Sequence, residues 1–194
     1  MSGSPMSGDP MSGGPMSTPQ APARSSRMLW PILIGALVAV ALGVYGATHK
    51  GKSIVFRVSG FEDLIRAKSW LAVIVFVFLL VQLVSALILY GRIRFLGSPS
   101  WIGTLHRWSG RLAFWIAVPV GVFCLYGIGF QSYSTRVLLH SLLGCLFFGV
   151  FVIKMLALTK PGLAGWVLPV LGGTVFAILA GVVLTSALWY FTTV

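Results

Sequence analysis

Apolar residues run through this chain in five long blocks, and the polar and basic residues gather between them. Each block is about 20 residues or longer, enough for a helix to cross a hydrocarbon core of roughly 30 Å. A backbone inside a bilayer must satisfy its own N–H and C=O groups, so each block is predicted to be a transmembrane helix. The spans fall near 28–48, 69–90, 106–130, 137–158 and 166–191. Pro31 sits in the opening turn of the first, where a missing N–H costs little. Trp30, Trp70, Trp166, Trp189 and Tyr190 fall near span ends, as interfacial aromatics do. The first apolar run is longer than the h-region of a secretory signal, so it reads as a retained anchor.

Outside the blocks two stretches stand out. Residues 1–27 repeat the pentapeptide Met-Ser-Gly-x-Pro, a composition that buries too little to offset the entropy of ordering. They are expected to form a disordered tail ahead of a 28–194 transmembrane domain. In the connection between the first two spans, "SGFE" at 59–62 has the form of a capping box. Phe61, Leu64 and Ile65 then share a face, which predicts a short interfacial helix feeding the second span.

Composition agrees with this pattern. The chain is 57% hydrophobic and 9% charged, far below the roughly 25% charged of a soluble domain. Its net charge of +11 comes from residues at span ends rather than from a basic patch with interleaved aromatics. That excludes a nucleic-acid partner and suits the lipid bilayer, in a multi-pass cell-membrane protein. Eight basic residues on the side of the tail against six on the other favour a cytoplasmic N-terminus. Cys124 and Cys145 lie inside apolar runs without the spacing of a metal or covalent haem motif, and read as buried small hydrophobes.

Ionisable groups in spans are costly and invite a functional reading. Here they are His106, His140 and Lys154, with His49 at the end of the first span. On the fourth helix His140, Gly144, Phe147, Phe151 and Lys154 share one face. His140 and Lys154 differ by about 40° in direction and about 21 Å along the axis, the arrangement by which one helix holds two stacked haems. On the third helix His106 is followed on its face by Gly110, Ala113, Ala117 and Gly121, small residues that leave room for a helix or a flat macrocycle. Antiparallel helices put His106 level with Lys154, and His49 level with His140. The repeated His-x-x-x-Gly then has one meaning: an axial ligand with a glycine one turn away, Gly110 or Gly144, clearing the ring edge. Arg107 and Arg111 are placed to pair with propionates.

Each residue also has a plainer reading. His106 caps a helix start at the interface, His140 is an intramembrane hydrogen-bond partner, and His49 is a loop residue. Lys154 snorkels to the headgroups, and Arg107 and Arg111 contact lipid phosphates. No carboxylate lies in any span, which argues against a proton relay, and no Ser-His-Asp set is available. "GWVLPVLGG" reads as a proline kink with glycine packing rather than a transporter's broken helix.

"HRWSGRLAF" at 106–114 resembles the His-Arg-x-x-Gly-Arg openings of cytochrome b561 and ferric-reductase-like membrane proteins. From about 28 to 191 the chain resembles an actinobacterial family of five-helix membrane proteins of unknown function. The residues that carry this likeness are "VYGATHK", "HRWSGRLAF", "HSLLGCLFFGVFVIKML", "GWVLPVLGG" and "LTSALWYF". The first resemblance implies haem b between helices with paired histidine ligands. A cytochrome b561 carries four such histidines, whereas this chain has three, and the fourth place would fall to Lys154.

The sequence therefore predicts an all-α integral membrane bundle. Its expected function is that of a small b-type cytochrome-like protein carrying electrons, rather than a stand-alone enzyme. One or two haems b would be held by His106, His140, His49 and Lys154, with quinone or a respiratory-chain protein as partner. The alternative is a cofactor-free accessory or assembly subunit of a larger respiratory membrane complex.

Overall fold

The computed structural model describes residues 26–49, 51, 64–93, 97 and 99–193. The repeat tail up to Ser25 and the SGFE segment lie outside them. Among the described residues the regular elements are all helical: α1 (Ser26–Thr48), α2 (Leu64–Leu89), α3 (Ile102–Val122), α4 (Thr135–Leu158), α5 (Val167–Val183) and α6 (Trp189–Thr193). A π-helical turn at Phe123–Ile128 prolongs α3, and another at Leu184–Leu188 joins α5 to α6. Five helices are long and apolar enough to span a membrane: Met28–Thr48, Ile65–Leu89, Ile102–Ile128, Thr135–Leu158 and Val167–Thr193.

Several helix ends differ from the sequence reading. Because α1 opens at Ser26, Pro31 lies inside the helix rather than in its first turn. Leu64 and Ile65, assigned to an interfacial helix, already belong to α2. The N–H of Ile102 reaches the Pro99 carbonyl at 3.1 Å and starts α3 there. His106 therefore sits a full turn inside the helix and does not cap its start. At the other end Ser134 caps α4, its hydroxyl accepting from the Val137 N–H at 3.4 Å.

The core joins Val75 and Leu79 of α2, Ala117 of α3, Phe147 of α4, and Val175 and Leu179 of α5. α2 packs on α3 and α5, and α4 on α5. α1 lies outside this core and packs chiefly on α4. The α1–α4 contact is backbone against backbone. A Cβ added to Gly35 would stand 2.5 Å from the Gly149 carbonyl oxygen, and one added to Gly149 would stand 2.5 Å from that of Gly35. Between lipid-facing helices no hydrophobic force favours contact, so close approach of small residues supplies the packing energy. The other side of α1 shows Leu37, Val40 and Val44 to the hydrocarbon.

α3 and α4 meet through rings. Phe114 stacks on Phe151 with centroids 4.1 Å and planes 7° apart. The tip of Phe148 stands 2.6 Å from where a Cβ of Gly121 would be. These aromatics fill the space between the two helices at mid-depth. Beyond them, toward the start of α4, the helices leave a cavity. Near that end Gly129, at φ 78°, turns the chain out of α3, and the Phe130 N–H then bonds the Gly46 carbonyl of α1 at 2.8 Å.

Gly149→Ala forces the α1 and α4 backbones apart and is expected to destabilise the bundle by about 1–3 kcal/mol. Gly43→Ala on the same α1, where an added Cβ meets nothing within 4 Å, is expected to leave Tm unchanged or raised. Thermal unfolding of both variants in detergent checks this, and equal Tm values would contradict the close approach.

Candidate functional site

The cavity lies among α2, α3, α4 and α5 and has a volume of about 330 Å³. Its body is apolar, with Ala72, Val75, Gly121 and Leu179 among its walls. Its polar residues include Lys68 and Ser69 of α2, Gln131 and Tyr133 before α4, Arg136, His140 and Ser141 of α4, Thr185 and Ser186 of the second π turn, and Tyr190 of α6. Both π turns border it, the first through Cys124, Leu125 and Ile128. A π turn takes a residue out of the regular i→i−4 ladder, and such turns are frequent at functional sites.

His140 is the one histidine among the described residues that line this space. Its Nδ1 lies 3.2 Å from Thr185 Oγ1. The single Thr185 proton is taken by backbone, since Oγ1 donates to the Gly181 carbonyl at 2.7 Å and also faces the Val182 carbonyl at 3.1 Å. Thr185 therefore accepts, and the His140 Nδ1–H donates. The ring also faces the Val182 carbonyl. Where the Nδ1–H also serves that carbonyl, Nε2 is the unprotonated nitrogen, the form in which imidazole ligates a metal. Gly144, one turn along, also lines the cavity, with open space within 4 Å of where its Cβ would stand.

Two cations accompany the imidazole, and Lys68 and Arg136 are both within electrostatic reach of His140. Arg136 is fixed on two sides: its Nη1 donates to the Thr185 carbonyl at 2.7 Å, and its guanidinium lies 3.7 Å from the centre of the Trp189 ring. All three acidic residues of the chain, Asp9, Glu62 and Asp63, fall outside the described residues.

His106 has different surroundings, in a polar cluster that ties α2 to α3. Its Nδ1 is 2.8 Å from Oγ of the fully buried Ser85. The Gln82 amide donates to the His106 carbonyl and, at 2.7 Å, to Ser109 Oγ. Ser109 in turn donates to the Leu105 carbonyl at 2.7 Å. Gly110, expected beside a macrocycle, faces this amide instead: its Cβ would stand 3.1 Å from Gln82 Oε1. The clearance at Gly110 admits a side chain from the next helix.

The remaining candidates are dispersed. Lys154 is near enough to His106 to act on it electrostatically, so these two share one end of the bundle. His49 is at the exposed end of α1, its ring stacked on Tyr45 at 4.1 Å. It does not join His140 in the cavity, because α1 packs outside the α2–α5 core. Arg107 is exposed and bonds Thr104 Oγ1 at 3.1 Å, while the exposed Arg111 lies over Trp108 at 5.2 Å. At the cavity the cations are Lys68 and Arg136, two of the basic residues at span ends. A Thr-Ser pair in an apolar run beside Trp-Tyr, "LTSALWY", was the available hint to Thr185.

Removing Ser85 or His106 breaks the same interhelical bond. A double-mutant cycle of Ser85→Ala with His106→Ala is expected to give a coupling of about 0.6–2 kcal/mol in unfolding free energy. Strict additivity would contradict the bond.

No curated protein and no solved structure matches the chain. Residues 28–194 match a defined family across the whole five-helix region. The chain belongs to DUF6529, a family of unknown function.

Proposed function

We propose that this protein is a small membrane electron-transfer protein of the b-type cytochrome kind, holding one haem b in the α2–α5 cavity. The observation that carries this reading is His140, which lines a largely apolar cavity with its Nδ1 held by Thr185 Oγ1. One imidazole, the open space beside Gly144, an apolar body and two nearby cations suit a flat amphiphile with acid groups. The reading takes one haem rather than two because Gln82, Ser85 and Ser109 hold His106, and the Gln82 amide occupies the clearance at Gly110. The reading is therefore one site with His140 as the protein's axial ligand, rather than two sites with paired ligands.

When bound, haem supplies one-electron iron chemistry that no side chain provides. The chain's own residues bind and orient. Thr185 sets the imidazole tautomer and direction, Leu179 and Val75 exclude water, and Arg136 and Lys68 supply positive charge. With the N-terminus cytoplasmic, the cavity lies toward the outer leaflet and His106 with Lys154 toward the inner. The electron partner in this reading is quinone or a respiratory-chain protein.

A second reading, a cofactor-free subunit of a larger membrane complex, draws support from His106. Its imidazole serves interhelical hydrogen bonding, as a subunit without a cofactor would use it.

A reduced-minus-oxidised spectrum of protein expressed with ample haem separates the two. Soret and α bands that are lost in His140→Ala and kept in His106→Ala are expected. A colourless wild-type preparation would overturn the cytochrome reading in favour of the subunit.

A further inference from the structure

Lys68 and Arg136 reach the cavity from two helices that are not neighbours in sequence. Each is half-buried, and both line the cavity that His140 lines, within electrostatic reach of its imidazole. Two cations at the edge of an apolar space repel one another and lose hydration, and among the described residues no carboxylate offsets that cost. A lone snorkelling side chain would escape that cost by swinging to the headgroups. Arg136 is instead held by the Thr185 carbonyl at 2.7 Å and by the Trp189 ring at 3.7 Å. That fixed guanidinium uses one of its N–H groups on Thr185 and keeps others for a ligand. The π turn at Leu184–Leu188 thus positions both the imidazole, through the Thr185 hydroxyl, and the guanidinium, through the Thr185 carbonyl.

We propose that Lys68 and Arg136 form an acid-group subsite that binds the carboxylates of the cavity's occupant and so fixes which edge of it faces His140's end of the bundle. This rests on the haem reading above, in which the occupant's acid groups are the two propionates. The role given to Arg107 and Arg111 in the sequence passes to this pair. Charge-assisted hydrogen bonds to a planar guanidinium favour carboxylates specifically, whereas a neutral ester offers only a weak acceptor.

The test uses the full-length protein in nanodiscs of zwitterionic lipid, titrated with protohaem and with its dimethyl ester. Binding is followed by the Soret shift and by tryptophan quenching. Wild type is expected to bind the free acid about tenfold or more tighter than the ester, the scale of a hydrogen bond to a charged group. Lys68→Gln and Arg136→Gln should each narrow that ratio, and the double variant should bring it close to unity. Arg136→Gln also removes a tie between α4 and the second π turn, so Lys68→Gln carries the test where the arginine variant fails to fold. Equal affinity for acid and ester in wild type overturns the subsite while leaving the haem reading standing. So does a preference that survives both substitutions. Binding of neither form overturns both.

Discussion

Hydrocarbon offers a buried polar group no partner, so every N–H, hydroxyl and imidazole in this bundle must be matched by another helix or by its own backbone. That constraint decides how the helices pair. Gln82 and Ser85 of α2 are matched by His106 and Ser109 of α3, which closes those two helices on each other. His140 of α4 is matched by Thr185 beyond α5, which closes another pair. In both cases a hydroxyl from the neighbouring helix holds an imidazole through Nδ1. The difference lies in what surrounds the rest of the ring. His106 is half-buried and stands apart from the cavity of about 330 Å³ that His140 borders.

The cavity follows from how the remaining helices pack. Gly35 and Gly149 bring α1 against the outer side of α4, so α1 is spent on that contact and contributes nothing to the inner core. Phe114, Phe148 and Phe151 bridge α3 to α4 at mid-depth. Past that bridge, two π turns widen the ends of α3 and α5 and present Cys124, Leu125, Thr185 and Ser186 to the same space. Imidazole, cations and cavity are thus brought together by one end of the bundle. An amphiphile that enters with its acid groups among Lys68 and Arg136 would place its apolar body on Val75 and Leu179.

The spans were legible in the sequence because hydrocarbon thickness sets a length that few other structures need, and five runs meet it. Which residues share an end of the bundle follows from counting crossings, and His106 and Lys154 are within electrostatic reach of each other. Lateral neighbours were not legible. The spacing on α3 showed that Gly110 opens a small-residue face, but not that the Gln82 amide would fill it. Nor did it show that α1 would dock outside the core and strand His49. Both depend on which helix sits beside which, and apolar composition, alike on every face, encodes that weakly. The π turns carry no composition of their own, so the double role of Thr185, as hydroxyl and as carbonyl, had no sequence signature beyond its place beside Ser186.

In the proposed reading the two imidazoles differ in kind, His106 joining helices and His140 facing a ligand. The ratio of haem to protein chain in purified, haem-replete material, taken with and without the His140 imidazole, tests it most directly. A single haem per chain, falling to none in His140→Ala, is the result this account predicts. A ratio near two, or a haem that survives loss of His140 and vanishes with His106, would contradict it.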